Sequence, residues 1–179
     1  MIIIPGFLIS AVTFPGVVVH ELAHQLFCRL FRIPVFKVVY FQMSNPCGYV
    51  SHEAVDNPFK VFMTSMGPFF VNTILGMLIV APASIEIFHF SNYSNPLNVV
   101  LGWLGISILM HAFPSKGDAD VMVNRILKNP DVGIGAKILS APFIGLVYVG
   151  ALGSMVWLDL IYAMVAAMVI PNLLVKLFA

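Results

Sequence analysis

The chain has 179 residues, of which 60% are hydrophobic and 9% are charged, with nine basic and eight acidic side chains and a net charge of +1. Soluble domains carry about 25% charged residues, so this composition excludes a soluble domain and a disordered chain. A nucleic-acid-binding protein is excluded too, because it would need a basic excess. The composition therefore predicts an all-α polytopic membrane protein with one compact bundle.

Long charge-free segments predict about five transmembrane helices, because each crossing needs about 20 apolar residues. They form a single membrane-embedded domain over residues 1–179, and the first segment lacks the positive n-region of a removable signal peptide. The predicted spans are about 3–31, 58–81, 96–113, 136–156 and 158–177. The break between the last two spans is placed at Gly153 and Ser154.

The charges between the spans predict the orientation. With five spans, all nine Lys and Arg residues fall on one side of the membrane. The positive-inside rule then predicts an integral, multi-pass protein, in the cell membrane, with its N-terminus outside and its C-terminus in the cytoplasm. On the cytoplasmic side, residues 35–52 are predicted to form a small β-hairpin around the turn signal SNPCG, and residues 115–128 a short amphipathic helix.

The first predicted span contains the motif His-Glu-x-x-His at residues 20–24 (HELAH). On a helix, residues four apart share a face, so His20 and His24 can bind one Zn²⁺ while Glu21 lies beside the bound water. The metal lowers the pKa of that water, and Glu21 takes its proton. The alternative is a pair of hydrogen-bonded core histidines, which is disfavoured because two His and a Glu are costly inside an apolar span.

A catalytic zinc site also needs a third protein ligand and an open fourth position. Cys28 lies on the same helical face as His20, but about 12 Å further along the axis, so one ion cannot bind both. Cys28 is therefore expected to be a small buried hydrophobic residue. The candidates for the third ligand are Asp118, Asp120, His111, Glu53 and His52.

These motifs resemble those of the site-2 protease family of intramembrane zinc metalloproteases. HELAH matches the family's His-Glu-x-x-His motif within a transmembrane helix, and residues 67–72 (GPFFVN) are similar to its Gly-Pro…Asn element with one extra residue. Residues 111–118 (HAFPSKGD) resemble its Asn-x-x-Pro…Asp-Gly motif. This chain departs from that motif in having His111 in place of Asn, a spacing one residue shorter and Ala119 after the Asp. The resemblance covers residues 20–118 and not the last two helices.

The resemblance implies a zinc metalloendopeptidase, a hydrolase that cleaves membrane-protein or peptide substrates in or near their transmembrane segments within the lipid bilayer. It assigns Asp118 as the third zinc ligand beside His20 and His24. Asp120 or a non-Asp ligand remains an alternative, because Ser115-x-x-Asp118 is also a helix-capping box.

Two further residues each have two alternative roles. His111, in place of the family's Asn, either donates a hydrogen bond to the oxyanion as a catalytic residue or is a histidine at the end of a helix. Asn72 either holds the substrate backbone or joins helices by polar contacts. The edge of the 35–52 hairpin can accept an unwound substrate segment as an added strand.

Two alternative functions fit the sequence less well. A prenyl-protein-type peptidase would need a Glu as third ligand, and Glu53 and Glu86 are badly placed for that role. A non-proteolytic zinc-binding membrane protein or a metal transporter is the alternative from another class. A structural site is closed by four ligands and leaves Glu21 without a role, and a transporter needs ligands along a path, whereas the sequence offers one cluster.

Overall fold

The computed structural model describes residues 6–178, so residues 1–5, where the first predicted span begins, and residue 179 lie outside it. The described part is mostly helical, with one small antiparallel sheet. The helices are α1 Gly6–Val12, α2 Phe14–Leu30, α3 Pro58–Ser84, α4 Pro96–Met110, α5 Lys116–Met122, α6 Ile134–Gly153 and α7 Leu158–Phe178. The strands are β1 Val35–Val39 and β2 Tyr49–His52. Single π-helical turns follow α3 and α5, at Ile85–His89 and Val123–Leu127, and a 3₁₀ turn, Ser154–Val156, follows α6.

Polar caps followed by proline begin the two central helices. The Asn57 side chain accepts a hydrogen bond from the Lys60 amide at the start of α3, and Asn95 caps α4 in the same way. Proline follows each cap, where its missing N–H costs nothing and its fixed φ suits the helix. The start predicted at residue 58 is thus confirmed. The hairpin and the short helix after residue 115 are confirmed as well.

Fewer helices than the predicted five are long and apolar enough to cross a membrane. By length and composition these are Pro58–Phe88 and Ile134–Gly153, and the bent pair α1–α2 makes a third if it counts as one span. Helix α4 and the Leu158–Val169 part of α7 are apolar but shorter. The five-span count is therefore not reached by this criterion.

The predicted first span, about 3–31, is not one continuous helix. Helices α1 and α2 meet at Thr13 with a bend of 89°. Pro15 has no N–H to bond the carbonyl one turn earlier, which disfavours a continuous helix at this point. It lies instead in the first turn of α2, where no such bond is needed. The Thr13 hydroxyl donates to the Ile9 carbonyl and so helps to close the last turn of α1.

Helices α6 and α7 do not form the antiparallel pair that two separate spans would make. The Phe143 ring of α6 packs against Phe62, near the start of α3. The Tyr162 hydroxyl of α7 bonds to Thr73, in the middle of α3, and the helix then clusters with Val80, further along. Both helices thus run alongside α3 in the same direction as α3, and α7 continues where α6 ends.

The break between the last two helices occurs after Gly153, as expected. Trp157 takes a left-handed conformation there, with φ of 62°. The contacts of Tyr162 and Ala163 with α3 direct the C-terminal end of α7 toward the end of α3. The sides of a membrane on which the two termini lie stay a prediction.

Two apolar clusters divide the bundle. The Met66 cluster joins the first half of α3 to α5 and α6; its buried members include Val61, Met66, Met122, Ile126 and Ile144. The Val80 cluster joins the second half of α3 to α4 and α7, through Val80, Leu109, Ala163 and Ala167 among others. Between them, α1 bends into α2 at Thr13, α4 gives way to α5, and α6 gives way to α7. Three helix breaks thus lie near one level of the molecule.

Candidate metal centre

Three side chains converge where α2 meets the break between α4 and α5. His20 and His24 come from consecutive turns of α2, and Asp118 comes from the first turn of α5. One ligand atom from each lies within 4.8 Å of the other two, and the group could hold a metal ion. The structure therefore brings together the two histidines of the motif and the aspartate that the family resemblance assigns.

Backbone carbonyls fix how both imidazoles point. Nδ1 of His20 lies 2.8 Å from the carbonyl oxygen of His111, and Nδ1 of His24 lies 2.9 Å from that of Thr64. A carbonyl oxygen only accepts hydrogen bonds, so each Nδ1 carries the hydrogen and each Nε2 of a neutral ring presents a lone pair. Metal-binding histidines are oriented in this way by their other nitrogen.

Two of the three separations among the ligand atoms suit a tetrahedral cation. The two Nε2 atoms lie 3.2 Å apart, and His24 Nε2 lies 3.5 Å from Asp118 Oδ1. Two lone pairs and a carboxylate oxygen facing each other repel unless a proton or a metal ion lies among them. A tetrahedral ion with bonds of about 2.1 Å holds its ligand atoms about 3.4 Å apart, and these two separations match that value. The third pair, His20 and Asp118, lies within 4.8 Å.

Asp118 serves the helix and the cluster with different oxygens. Its Oδ2 accepts from the backbone amide and the hydroxyl of Ser115, at 2.8 and 2.6 Å, and so completes the capping box of α5. Its Oδ1 faces His24. Asp118 can therefore cap α5 with one oxygen while its other oxygen is available as a metal ligand.

The other candidate ligands lie elsewhere. Asp120 accepts a hydrogen bond of 2.5 Å from the Tyr148 hydroxyl of α6. His52 bonds through Nδ1 to the carbonyl of Glu53, at the end of β2. Cys28 is fully buried further along α2, as the helical spacing predicted. Within the described residues, none of these four belongs to the convergent group.

Glu21 lies beside the cluster without belonging to the group of three. It is 7% exposed and lines the same cavity as His20. The hairpin turn closes over it, since a Cβ on Gly48 would lie 2.7 Å from Glu21 Cγ and 3.0 Å from the backbone carbonyl oxygen of Tyr40. Only a glycine lets the turn approach so closely. A carboxylate at this place is available to exchange a proton with a molecule held by the cluster.

His111 contributes its backbone to the cluster and its side chain to the helix bend. Its carbonyl receives the His20 hydrogen bond, while its Nε2 lies 2.8 Å from the Thr13 hydroxyl at the α1–α2 bend. It also ends α4, with its amide bonded to the last turn. The helix-end interpretation therefore describes its contacts. Its ring also lines the cavity beside Glu21, and an oxyanion role stays a prediction.

Two cavities reach the cluster. The larger, of about 580 Å³, lies beside His20 and Glu21 and is bounded by α1, by the hairpin turn 45–48 and by the breaks between α4 and α5 and between α6 and α7. The smaller, of about 290 Å³, lies beside His24 and Asp118 and is bounded by residues 50–52 of β2. An extended peptide segment lying alongside β2 would thus pass close to the ligand atoms.

Several groups that shape the centre give no signal in the sequence. The carbonyls of His111 and Thr64 orient the imidazoles, yet every residue has a carbonyl, so no pattern marks them. Gly16 and Gly48 are a partial exception, because a glycine beside a motif or in a turn indicates close approach. A Cβ on Gly16 would lie only 2.0 Å from the Ser107 carbonyl oxygen.

Comparison of the chain with family models, with curated proteins and with solved structures gives no match.

Proposed function

We propose that this protein is an intramembrane zinc endopeptidase that hydrolyses peptide bonds in or near transmembrane segments of other proteins. The observation that supports it most is the convergence of His20, His24 and Asp118, whose ligand atoms lie within 4.8 Å of one another, with Glu21 next to them at a cavity. Two imidazoles and a carboxylate are an ordinary zinc ligand set, and three protein ligands leave a fourth position open for chemistry.

The reaction follows from these residues. When bound, Zn²⁺ would act as a Lewis acid that makes water more acidic and polarises a peptide carbonyl. Glu21 would take a proton from the water as the water oxygen bonds to the carbonyl carbon of the peptide. The same carboxyl would return the proton to the amide nitrogen as the C–N bond breaks, so that Glu21 ends ionised as it began.

The surroundings of the cluster support a peptide as the substrate. A transmembrane helix must unwind before one of its carbonyls can meet the ligand cluster, because its amides are bonded within the helix. The larger cavity is bounded by helix breaks, which a membrane tolerates where backbone lines a cavity. Strand β2 borders the smaller cavity and can pair with an unwound segment.

A revised membrane arrangement accompanies this proposal. Helix α3 crosses the bilayer as one helix, the α4–α5 pair crosses as a broken helix, and α1–α2 is bent at the level of the site. Helix α6 is long and apolar enough to cross by itself. Lys60 lies in the first turn of α3, and Arg125 pairs with Asp56 just before that helix. Both basic residues thus lie at the end of the bundle where α3 begins. That end is cytoplasmic by the positive-inside rule.

Metal transport is the second candidate, because the cluster has a cavity on each of two sides. A transporter or a non-catalytic zinc protein uses the ligands but has no use for Glu21 as a base. The two functions therefore differ in what a change at Glu21 does.

The deciding experiment compares Glu21→Gln with wild type for zinc content and for cleavage of a transmembrane peptide in reconstituted protein. The amide keeps the volume but cannot accept a proton, so zinc should stay bound while cleavage falls by about 10²–10⁴-fold. Glu53→Gln is the matched control, because Glu53 lies outside the convergent group, and it should retain full cleavage. Cleavage by Glu21→Gln at the wild-type rate would refute the mechanism.

A further inference from the structure

Asn72 is a fully buried amide in the middle of α3 that contacts both helices flanking the cluster. Its Nδ2 lies 3.2 Å from the Gly16 carbonyl oxygen of α2 and 3.2 Å from that of Ile108 in α4. It also lies 3.0 Å from the carbonyl oxygen of His111. Two N–H bonds are thus shared among three carbonyl oxygens.

The environment fixes the orientation of this amide. Reversed, Asn72 would point Oδ1 at three carbonyl oxygens, which also only accept hydrogen bonds. As it stands, Oδ1 has no hydrogen-bond partner among the described residues. An unsatisfied buried acceptor is costly, so the position of Asn72 is set by the carbonyls that it holds.

One of those carbonyls belongs to the metal centre. The His111 oxygen accepts from Asn72 Nδ2 and also from His20 Nδ1. A shift of this oxygen would release the hydrogen bond that keeps the His20 lone pair on Nε2, facing His24 and Asp118. His111 follows the end of α4, where its carbonyl has lost the regular helical partner, so Asn72 supplies a fixed donor in its place.

We propose that Asn72 is a positioning residue of the metal centre, which holds the His111 carbonyl so that this carbonyl sets the tautomer and direction of His20. It acts through the backbone of His111 and touches neither substrate nor metal. The proposal rests on the proposed function only in that the cluster of His20, His24 and Asp118 binds a metal ion.

Thr73, the next residue of α3, offers a matched comparison. Its hydroxyl lies 2.6 Å from the Tyr162 hydroxyl and joins α3 to α7, away from the metal ligands. Loss of either polar side chain weakens contact between helices. Only the loss of Asn72 also frees the carbonyl that orients a ligand.

The experiment measures Zn²⁺ affinity by competition with a chromophoric chelator for wild type, Asn72→Leu, Asn72→Ala and Thr73→Val, each in detergent and with helix content matching wild type by circular dichroism. Loss of a group that orients a metal ligand costs about 10–100-fold in metal affinity. We expect that loss for the Asn72 variants and an unchanged affinity for Thr73→Val. The Ala variant adds no bulk in case Leu does not fit.

Absorption of the Co²⁺-loaded proteins gives a second measure, because it responds to ligand geometry around the ion. The Asn72 variants should shift this spectrum, and Thr73→Val should reproduce that of wild type. Equal affinities and spectra in Asn72→Ala and wild type would overturn the positioning role and leave the proposed function intact. A wild-type protein that binds neither Zn²⁺ nor Co²⁺ would overturn both.

Discussion

The two halves of the bundle are held together by different kinds of contact. Around the Val80 cluster, α3 and α4 pack through glycines, and a Cβ on Gly105 would lie 2.9 Å from the Gly76 carbonyl oxygen. At the level of the metal centre, helices are interrupted and directional hydrogen bonds from Asn72, His20 and His111 replace regular packing. Apolar packing tolerates small shifts, whereas a ligand cluster needs its atoms placed within about 0.5 Å.

This difference indicates why the breaks lie beside the cluster. A continuous helix has no free carbonyl in its middle, but an interrupted one does. The His111 carbonyl is available to His20 because α4 ends at Met110. The uninterrupted half of the bundle then supplies rigidity to the interrupted half, through α3, which runs through both.

The largest loss of metal binding and cleavage is expected from a change at Asp118. Helix α5 carries two aspartates, Asp118 and Asp120, and only Asp118 faces the histidines. Asp118→Asn should lose metal and all cleavage, because its Oδ1 faces His24. Asp120→Asn should keep both, since Asp120 contacts Tyr148 instead. Metal analysis after gel filtration checks this. Equal zinc content in the Asp118→Asn variant and wild type would remove Asp118 from the ligand set.

Removal of the metal should destabilise the interrupted half. With free Zn²⁺ at 1,000 times its Kd, binding adds about 4.1 kcal/mol to the free energy of unfolding, and a chelator removes it. The effect should shrink as the pH falls, because both imidazoles must be neutral to bind and the usual His pKa is about 6.5. Thermal unfolding with and without chelator, at pH 7.5 and pH 5.5, measures it. A chelator without effect at pH 7.5 would speak against a bound metal.

Added methyl groups should distinguish the two halves. Gly16→Ala places a Cβ 2.0 Å from the Ser107 carbonyl oxygen and 2.6 Å from His111 Cδ2. Overpacking against backbone should cost about 3 kcal/mol and also weaken metal binding. Gly105→Ala should destabilise the protein without changing the metal affinity of the folded form. Gly145→Ala is the control, because nothing lies within 4 Å of its Cβ, and it should unfold no earlier than wild type.

The smallest effect is expected from a single hydrogen bond between α3 and α7. Tyr162→Phe removes the hydroxyl that contacts Thr73, and such bonds between membrane helices contribute about 0.6 kcal/mol on average. Metal affinity should not change. Tyr93→Phe, at a side chain that is 62% exposed, serves as the matched control in the same unfolding assay. A larger loss of metal affinity than of stability in Tyr162→Phe would show that the two halves are not separable.

Part of the structure could be predicted from the sequence because it depends on interactions between residues that are close along the chain. His20 and His24 share a face because a helix repeats every 3.6 residues, and Asn57 with Pro58 supplies a helix cap and a proline in the first turn. The hairpin between residues 35 and 52 follows from its β-branched residues and its turn. Asp118 was identified as a candidate through the family resemblance, and the structure brings it to the histidines.

Other features depended on which helices lie side by side. Spacing and hydropathy could not tell that α7 continues in the direction of α6, because an apolar segment reads the same in either direction. Nor could they show that the helix predicted over 3–31 bends at Thr13, since proline is found both within and at the start of helices. The sequence by itself determined the two histidines, the glutamate between them and the extent of most helices, because these depend on neighbours along the chain. Only the tertiary structure decided which carbonyls orient the imidazoles and which oxygen of Asp118 meets them, because those contacts join residues at least 40 positions apart.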